Sequence, residues 1–374
     1  MITRVLKNTL AKRVDHKKAI ILLGPRQVGK TTLITEIAAS LGDHLFIDGD
    51  DPETRLQWSN PSKAFVERYV GKHKVVVIDE AQRLENIGVS AKMIIDAKKG
   101  VQLFISGSSA LELANKMNEP LTGRKWEYLL YPLSWKEIQD HYSFAKTLPR
   151  LEEFLITGMY PEVVTHADDA VEILKNLAGS YLYKDILELA GVRRPELLLK
   201  ILRALAWQVG SEVSYNELAQ SVGADKNTVS SYIDLLEKSF VVFKLNPFAR
   251  NLRREINTKR KIYFYDNGVR NCVIGNFSPL GQRNDVGALW ENFIIGERKK
   301  YLAYNGFTGN TYFWRDHLGA EIDYVEEAAG KLTAFELKWN PKAKVRFPKA
   351  FLDAYQPSST EAIHRENYWN WLDS

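Results

Sequence analysis

Five short apolar runs, rich in β-branched residues, punctuate the first part of the chain: Ile20–Leu23, His44–Asp48, Lys74–Ile78, Val101–Ser106 and Trp126–Tyr131. Runs such as AIILL and VVVI lack polar alternation, as strands buried on both faces do. Segments of helical spacing separate them. The pattern predicts an α/β fold, a mostly parallel sheet with helices on both faces. From about Arg150 to Trp207 the spacing is helical. Ser214–Ser239 reads as a compact helix-rich segment, followed by alternating residues and a basic tract, Arg250–Lys261. From about Gly287 the order is helix, strand, strand, helix. No internal repeat or low-complexity linker interrupts the chain.

The 374 residues suffice for two or three domains, and 45% hydrophobic with 26% charged residues is ordinary for a globular protein. Lys and Arg number 51 against 46 acids, a formal charge of +5. So mild an excess does not by itself indicate nucleic acid. Cys272 is the single cysteine, which excludes an intrachain disulfide and a cysteine-rich metal site, and the seven histidines show no zinc-ligand spacing. Cys272 reads as a small hydrophobe. No stretch approaches the about 20 apolar residues of a membrane helix, and no secretion signal is evident. A soluble, cytoplasmic protein without membrane contact is expected.

Residues 24–32, GPRQVGKTT, match G-x-x-x-x-G-K-S/T in full. A buried strand precedes the match and a helical pattern (Leu33, Ile37, Ala38, Leu41) follows it. Gly24 and Gly29 let the backbone curl so that the N–H groups of Gly24, Pro25, Arg26, Gln27, Val28, Gly29, Lys30, Thr31 and Thr32, proline excepted, surround phosphates at a helix N-terminus. Lys30 is expected on the β- and γ-phosphates, and the Thr31 hydroxyl on Mg2+. The run KVVVIDEAQ ends in Asp79-Glu80: Asp79 is the expected magnesium residue and Glu80 the general base. VQLFIS ends in Ser106-Gly107-Ser108-Ser109, where one serine, assigned here to Ser108, is a candidate sensor of the γ-phosphate. In LTGRKWEYLL, Arg124 stands where oligomeric ATPases carry an arginine finger; the other reading is a local carboxylate partner. ATP and Mg2+ are the expected cofactors.

With these residues in view, the sequence resembles the bacterial and archaeal AAA-superfamily ATPases whose C-terminal domain, of unknown function, is related to restriction-type nucleases. The resemblance runs nearly end to end, through GPRQVGKTTL, DEAQ, SGSSA, LTGR, YPLSWKEI, GMYPEVV, YLYKDIL, KIYFYDNGVR, WRDHLGAEIDYV and FELKW. It implies an AAA-type core at 1–142, a helical lid or linker at 143–200, a winged-helix-like domain at 201–265 and a restriction-nuclease-like domain at 266–374.

In the middle, Ser214 is placed to cap a helix bearing Leu218 and Ala219. Val222-Gly223-Ala224 then turns into a second helix with Val229, Tyr232, Ile233, Leu235 and Leu236 inward. Lys226, Asn227 and Thr228 face outward. With Arg250, Arg253, Arg254, Lys259, Arg260 and Lys261 on or near a wing, they are the candidate DNA contacts. The alternative is a lid or protein-contact module with a solvated charge run.

In the tail, Asp323 in EIDYV and Glu336 and Lys338 in FELKW compose an acid plus E-x-K pattern on neighbouring strands, with Glu291 as an accessory acid. Such a constellation suits metal-dependent phosphodiester cleavage or persists as satisfied ion pairs. The sequence thus suggests an ATPase acting on DNA as a homo-oligomeric ring, with a hexamer as the candidate size. An ATP-gated nuclease and a nucleotide-dependent switch or scaffold in signalling or defence are the alternatives.

Overall fold

The computed structural model describes residues 1–15, 17–97, 100–108, 121–179, 192, 194–248 and 259–373. They form two compact units, Met1–Leu133 with Lys238–Phe240, and Ser134–Glu237 with Val241–Ser374. Ser109, Arg250, Arg253 and Arg254, and the YLYKDIL segment, lie outside the described residues.

The first unit is built on a five-stranded parallel sheet of β1 (Ala19–Leu23), β2 (His44–Asp48), β3 (Val75–Asp79), β4 (Gln102–Gly107) and β5 (Lys125–Leu129), ordered β2-β3-β4-β1-β5. Parallel neighbours need crossovers, and helices such as Lys30–Ser40 and Ile87–Ala97 supply them. The three inner strands are buried almost throughout, whereas the edge strands β2 and β5 are half-buried. That contrast explains why the inner strands read as continuous apolar runs. Ile21, Val76, Ile78, Leu103 and Ile105 anchor the core on one side, joined by a fully buried Trp58 that meets Phe65 and Tyr69 edge-on. Trp58 ends a helix, Pro52–Trp58, that is capped by Asp51 and started by proline.

Register decides where the chemistry sits. Leu23 pairs with Gly107, and Asp48 with Asp79, so the strands finish together at their carboxyl ends. The loop after β1, the tip of β3 and the tip of β4 therefore lie side by side.

The second unit contains a seven-stranded mixed sheet, β12-β11-β10-β9-β7-β8-β6. Its strands are β6 (Glu212–Val213), β7 (Val242–Pro247), β8 (Arg260–Phe264), β9 (Asn310–Arg315), β10 (Glu321–Ala328), β11 (Lys331–Lys338) and β12 (Ser359–His364). The parallel β7–β9 pairing makes one sheet of strands from the segments expected as winged-helix-like and nuclease-like. The helix Val286–Tyr304 packs on β8 and β11 and is buried on most sides, in keeping with its apolar Leu289, Trp290, Phe293, Ile294 and Ile295. The two helices expected between 214 and 239 are present as Tyr215–Val222 and Lys226–Lys238. Ser214 caps the first, and Gly223 at φ 70° turns out of it. Two strands go beyond the expected tail. β12 buries only Ile363 fully, and β9 is half-buried along its first three residues, so neither shows a strong alternation. Among the described residues no helix is long and apolar enough to cross a membrane.

Candidate active site

Between β1 and the helix Lys30–Ser40 the chain bends through left-handed conformations at Gln27 (φ 59°) and Gly29 (φ 90°). Gly24 is required for a different reason: a Cβ there would lie 2.1 Å from the Leu130 carbonyl oxygen of the neighbouring β5 end. Lys30 is 5% exposed, and its ammonium donates to the carbonyls of Gly24 (3.0 Å) and Pro25 (2.8 Å). The loop thus holds its own lysine over the cradle.

Thr31 Oγ1 donates to Asp79 Oδ2 at 2.7 Å, and Ser106 Oγ donates to the other oxygen, Oδ1. The expected phosphate loop and acidic strand tip therefore meet. The chemistry of this pair, a hydroxyl and a carboxylate on a buried strand end, suits a hydrated divalent ion. Glu80 follows in a left-handed conformation (φ 45°, ψ 43°) and starts a short 3-10 turn, Ala81–Arg83. Its Oε2 accepts from Gln82 Nε2 at 2.5 Å and from Ser108 Oγ at 3.2 Å. Of the strand-end serines, then, Ser106 serves Asp79 and Ser108 stands with Glu80.

Arg124 lies at the start of β5 and pairs with Asp96, both about half-exposed. A surface pair of this kind contributes about 0–1 kcal/mol, so it restrains the guanidinium only weakly. Arg4 was not among the residues expected at the site. That residue is buried and donates to the carbonyls of Val28 and, at 2.7 Å, Tyr131, bracing the loop against the end of β5.

The second unit gathers Asp323, Glu336 and Lys338. The Lys338 ammonium is 2.8 Å from Asp323 Oδ2 and 2.7 Å from Glu336 Oε2, and the Leu337 N–H donates to the same Asp323 oxygen at 2.8 Å. Burial, then the neighbouring Asp323 charge, pushes Glu336 up to about 7. Glu291 reaches the group through residues not expected there. Its Oε1 accepts from Lys261 Nζ (2.9 Å) and from the Tyr263 hydroxyl (2.6 Å), and Lys261 also pairs with Glu321. This corrects the placement of Lys261 on the wing. It is 1% exposed and turns inward onto Glu291, itself 15% exposed, where its ammonium is the counter-ion; Glu321 is paired with Arg315 as well, at 3.4 Å. The alternation in KIYFY, which puts Lys261 and Tyr263 on one face of β8, was the available signal. Burial opposes the Lys261 charge, but Glu291, Glu321 and Asp323 outweigh it and hold the ammonium above the ordinary lysine range. Among the described residues no cluster of three or more acidic, histidine or cysteine side chains is arranged to hold a metal ion.

The other candidate DNA contacts are mostly at the surface. Lys226 and Asn227 are exposed, while Thr228 is tied up with Asp225 at the helix start. Lys259 lies 3.8 Å from Glu217, and Arg260 bonds Asn246 at 3.2 Å and covers the Tyr215 ring.

Comparison with known proteins agrees with this geometry. Residues 16–139 match the model of an AAA domain. Residues 148–280 and 286–367 match two domains of unknown function, DUF8612 and DUF4143. An uncharacterized protein of Mycobacterium tuberculosis is 30% identical over 335 residues, covering 87% of this chain and 72% of the relative. The chain belongs to the AAA-superfamily ATPases. This family member is also similar to an uncharacterized protein of Methanocaldococcus jannaschii, 22% identical over 86% of this chain and 75% of the relative. In fold it is similar to the Walker-type ATPase of Pyrococcus abyssi, with a TM-score of 0.51 and 16% identity over 73% of this chain and 96% of that one.

Lys261→Met leaves the largely buried Glu291 without its ammonium partner and is expected to lower stability by about 3–5 kcal/mol. Adding Glu291→Gln should recover part of the loss. Urea unfolding of both variants measures this, and an unchanged midpoint for Lys261→Met would remove the buried ion pair from the second unit's stability.

Proposed function

We propose that this protein hydrolyses Mg-ATP and, as a homo-oligomer, couples turnover to remodelling of DNA. The observation that carries the first part is the 2.7 Å contact of Thr31 with Asp79, beside a loop that already curls around the Lys30 ammonium. Thr31 and Asp79 are the residues to hold Mg2+, which when bound neutralises charge on the phosphates. Lys30 exchanges its two carbonyl partners for phosphate oxygens, a charge-assisted replacement for neutral acceptors. Glu80 orients the attacking water and accepts its proton, and Ser108, bonded to it, is the candidate sensor. Arg124 gives up its weak pair with Asp96 to reach the nucleotide of a neighbouring copy.

DNA is supported by the exposed Lys226 and Asn227 opening the second of two short helices, with Lys259 and Arg260 near the strand that follows. The second reading, phosphodiester cleavage by the other unit, is favoured by the convergence of Asp323, Glu336 and Lys338. Asp323 and Glu336 are the residues that would hold its divalent ion, with Lys338 orienting water.

Lys30→Ala is expected to abolish binding of a fluorescent ATP analogue. Glu80→Gln should bind it normally while hydrolysis falls by about 100-fold or more; near-normal turnover would remove Glu80 from the role of base. Arg124→Ala should depress hydrolysis, and mixing it with Lys30→Ala should restore part of the rate. No recovery on mixing would leave Arg124 as the partner of Asp96.

The reading on DNA is tested by ATPase rate with duplex, single-stranded and branched DNA across a salt series. Stimulation is expected at low salt, and the DNA affinity behind it should fall as salt rises, by about 0.9 log per log salt for each duplex phosphate contact. A rate indifferent to every DNA would exclude the motor, and magnesium- or manganese-dependent nicking lost in Asp323→Ala would establish the second reading.

A further inference from the structure

Gln82 takes no part in the cradle, yet it is 2% exposed and its amide is aimed at the catalytic end of the sheet. Nε2 lies 2.5 Å from Glu80 Oε2 and 2.9 Å from Ser108 Oγ, and Ser108 Oγ lies 3.2 Å from the same Glu80 oxygen. A primary amide nitrogen carries two hydrogens, and here each has a partner within a closed triangle. The turn after β3 makes this possible. Glu80 in its left-handed conformation, with Arg83 N–H donating to the Glu80 carbonyl at 3.0 Å, folds the side chain of residue 82 back beside that of residue 80.

Both bonds fall on one oxygen of Glu80. A glutamate has three side-chain torsions, and a carboxylate that is to take a proton from water must present one oxygen in a fixed direction. An amide is suited to the holding. A lysine there would neutralise the carboxylate and weaken it as a base, and an acid would repel it. We infer that Gln82 is the positioning residue for Glu80: it fixes Oε2, so that Oε1 is the atom offered to the attacking water, and it links that orientation to Ser108. Gln82 acts only through Glu80 and touches no substrate. The inference rests on Glu80 being the general base.

The test is a double-mutant cycle in the full chain, using Gln82→Met, which keeps the volume but donates nothing, Glu80→Gln and the two together. ATP turnover, affinity for a fluorescent ATP analogue and melting temperature are measured for each. Gln82→Met is expected to lower kcat by about 10- to 100-fold, with analogue affinity and melting temperature within error of the unaltered protein, and to cost nothing further in the Glu80→Gln background. Gln82→Leu, which is neutral and likewise donates nothing, should repeat the pattern and covers a loss of fold in the first variant. Turnover within twofold of normal in both Gln82 variants, with Glu80→Gln inactive, overturns the positioning role and leaves the base intact. An equal loss with and without Glu80 overturns it too, since Gln82 would then act elsewhere. Substantial turnover in Glu80→Gln removes the base itself and the inference with it.

Discussion

The Asp79 carboxylate is held by two hydroxyls from two other elements, Thr31 on the helix that follows the β1 loop and Ser106 on β4. That arrangement exists only because β1, β4 and β3 are parallel neighbours that finish level with one another. A one-residue slip in either of the two pairings would turn the polar tip away, and in one direction would bring Ile78 or Ile105 into its place. Burial on both faces fixes the register, so the packing of the strands also fixes the spacing of the polar groups.

The two units handle buried charge differently. At the cradle the groups are partnered by hydroxyls, backbone carbonyls and an amide, neutral groups that a charged ligand can displace. In the second unit Glu291, Glu321, Asp323 and Glu336 are partnered by lysines. Removing an ammonium from between two buried acids carries a large electrostatic cost. Of the two lysines, Lys338 is partly exposed and Lys261 is sealed, so the ammonium open to solvent is that of Lys338.

How much of this was legible in the sequence follows from the range of the interactions. The phosphate loop was legible because backbone curvature requires glycine at set positions and the chemistry requires Lys30 and Thr31 directly after them. Asp79 and Glu80 were legible because an uninterrupted apolar run ends there. The inner strands came within a residue of their observed limits for the same reason. Arg4 and Gln82 were not legible as site residues. Each acts through a partner remote in sequence or through a local turn whose left-handed start at Glu80 no residue type announces. Lys261 was misplaced because it adjoins a basic tract, and proximity along a chain says little about which way a strand residue points. β9 and β12 escaped notice because half-buried strands carry little periodicity.

Arg4 ties the curl ahead of Lys30 to the start of the chain. One guanidinium, anchored to the carbonyls of Val28 and Tyr131, spans the junction between the phosphate loop and the end of an edge strand. A change at Arg4 would therefore bear on the shape of the loop from outside it, with no group entering the space the loop encloses.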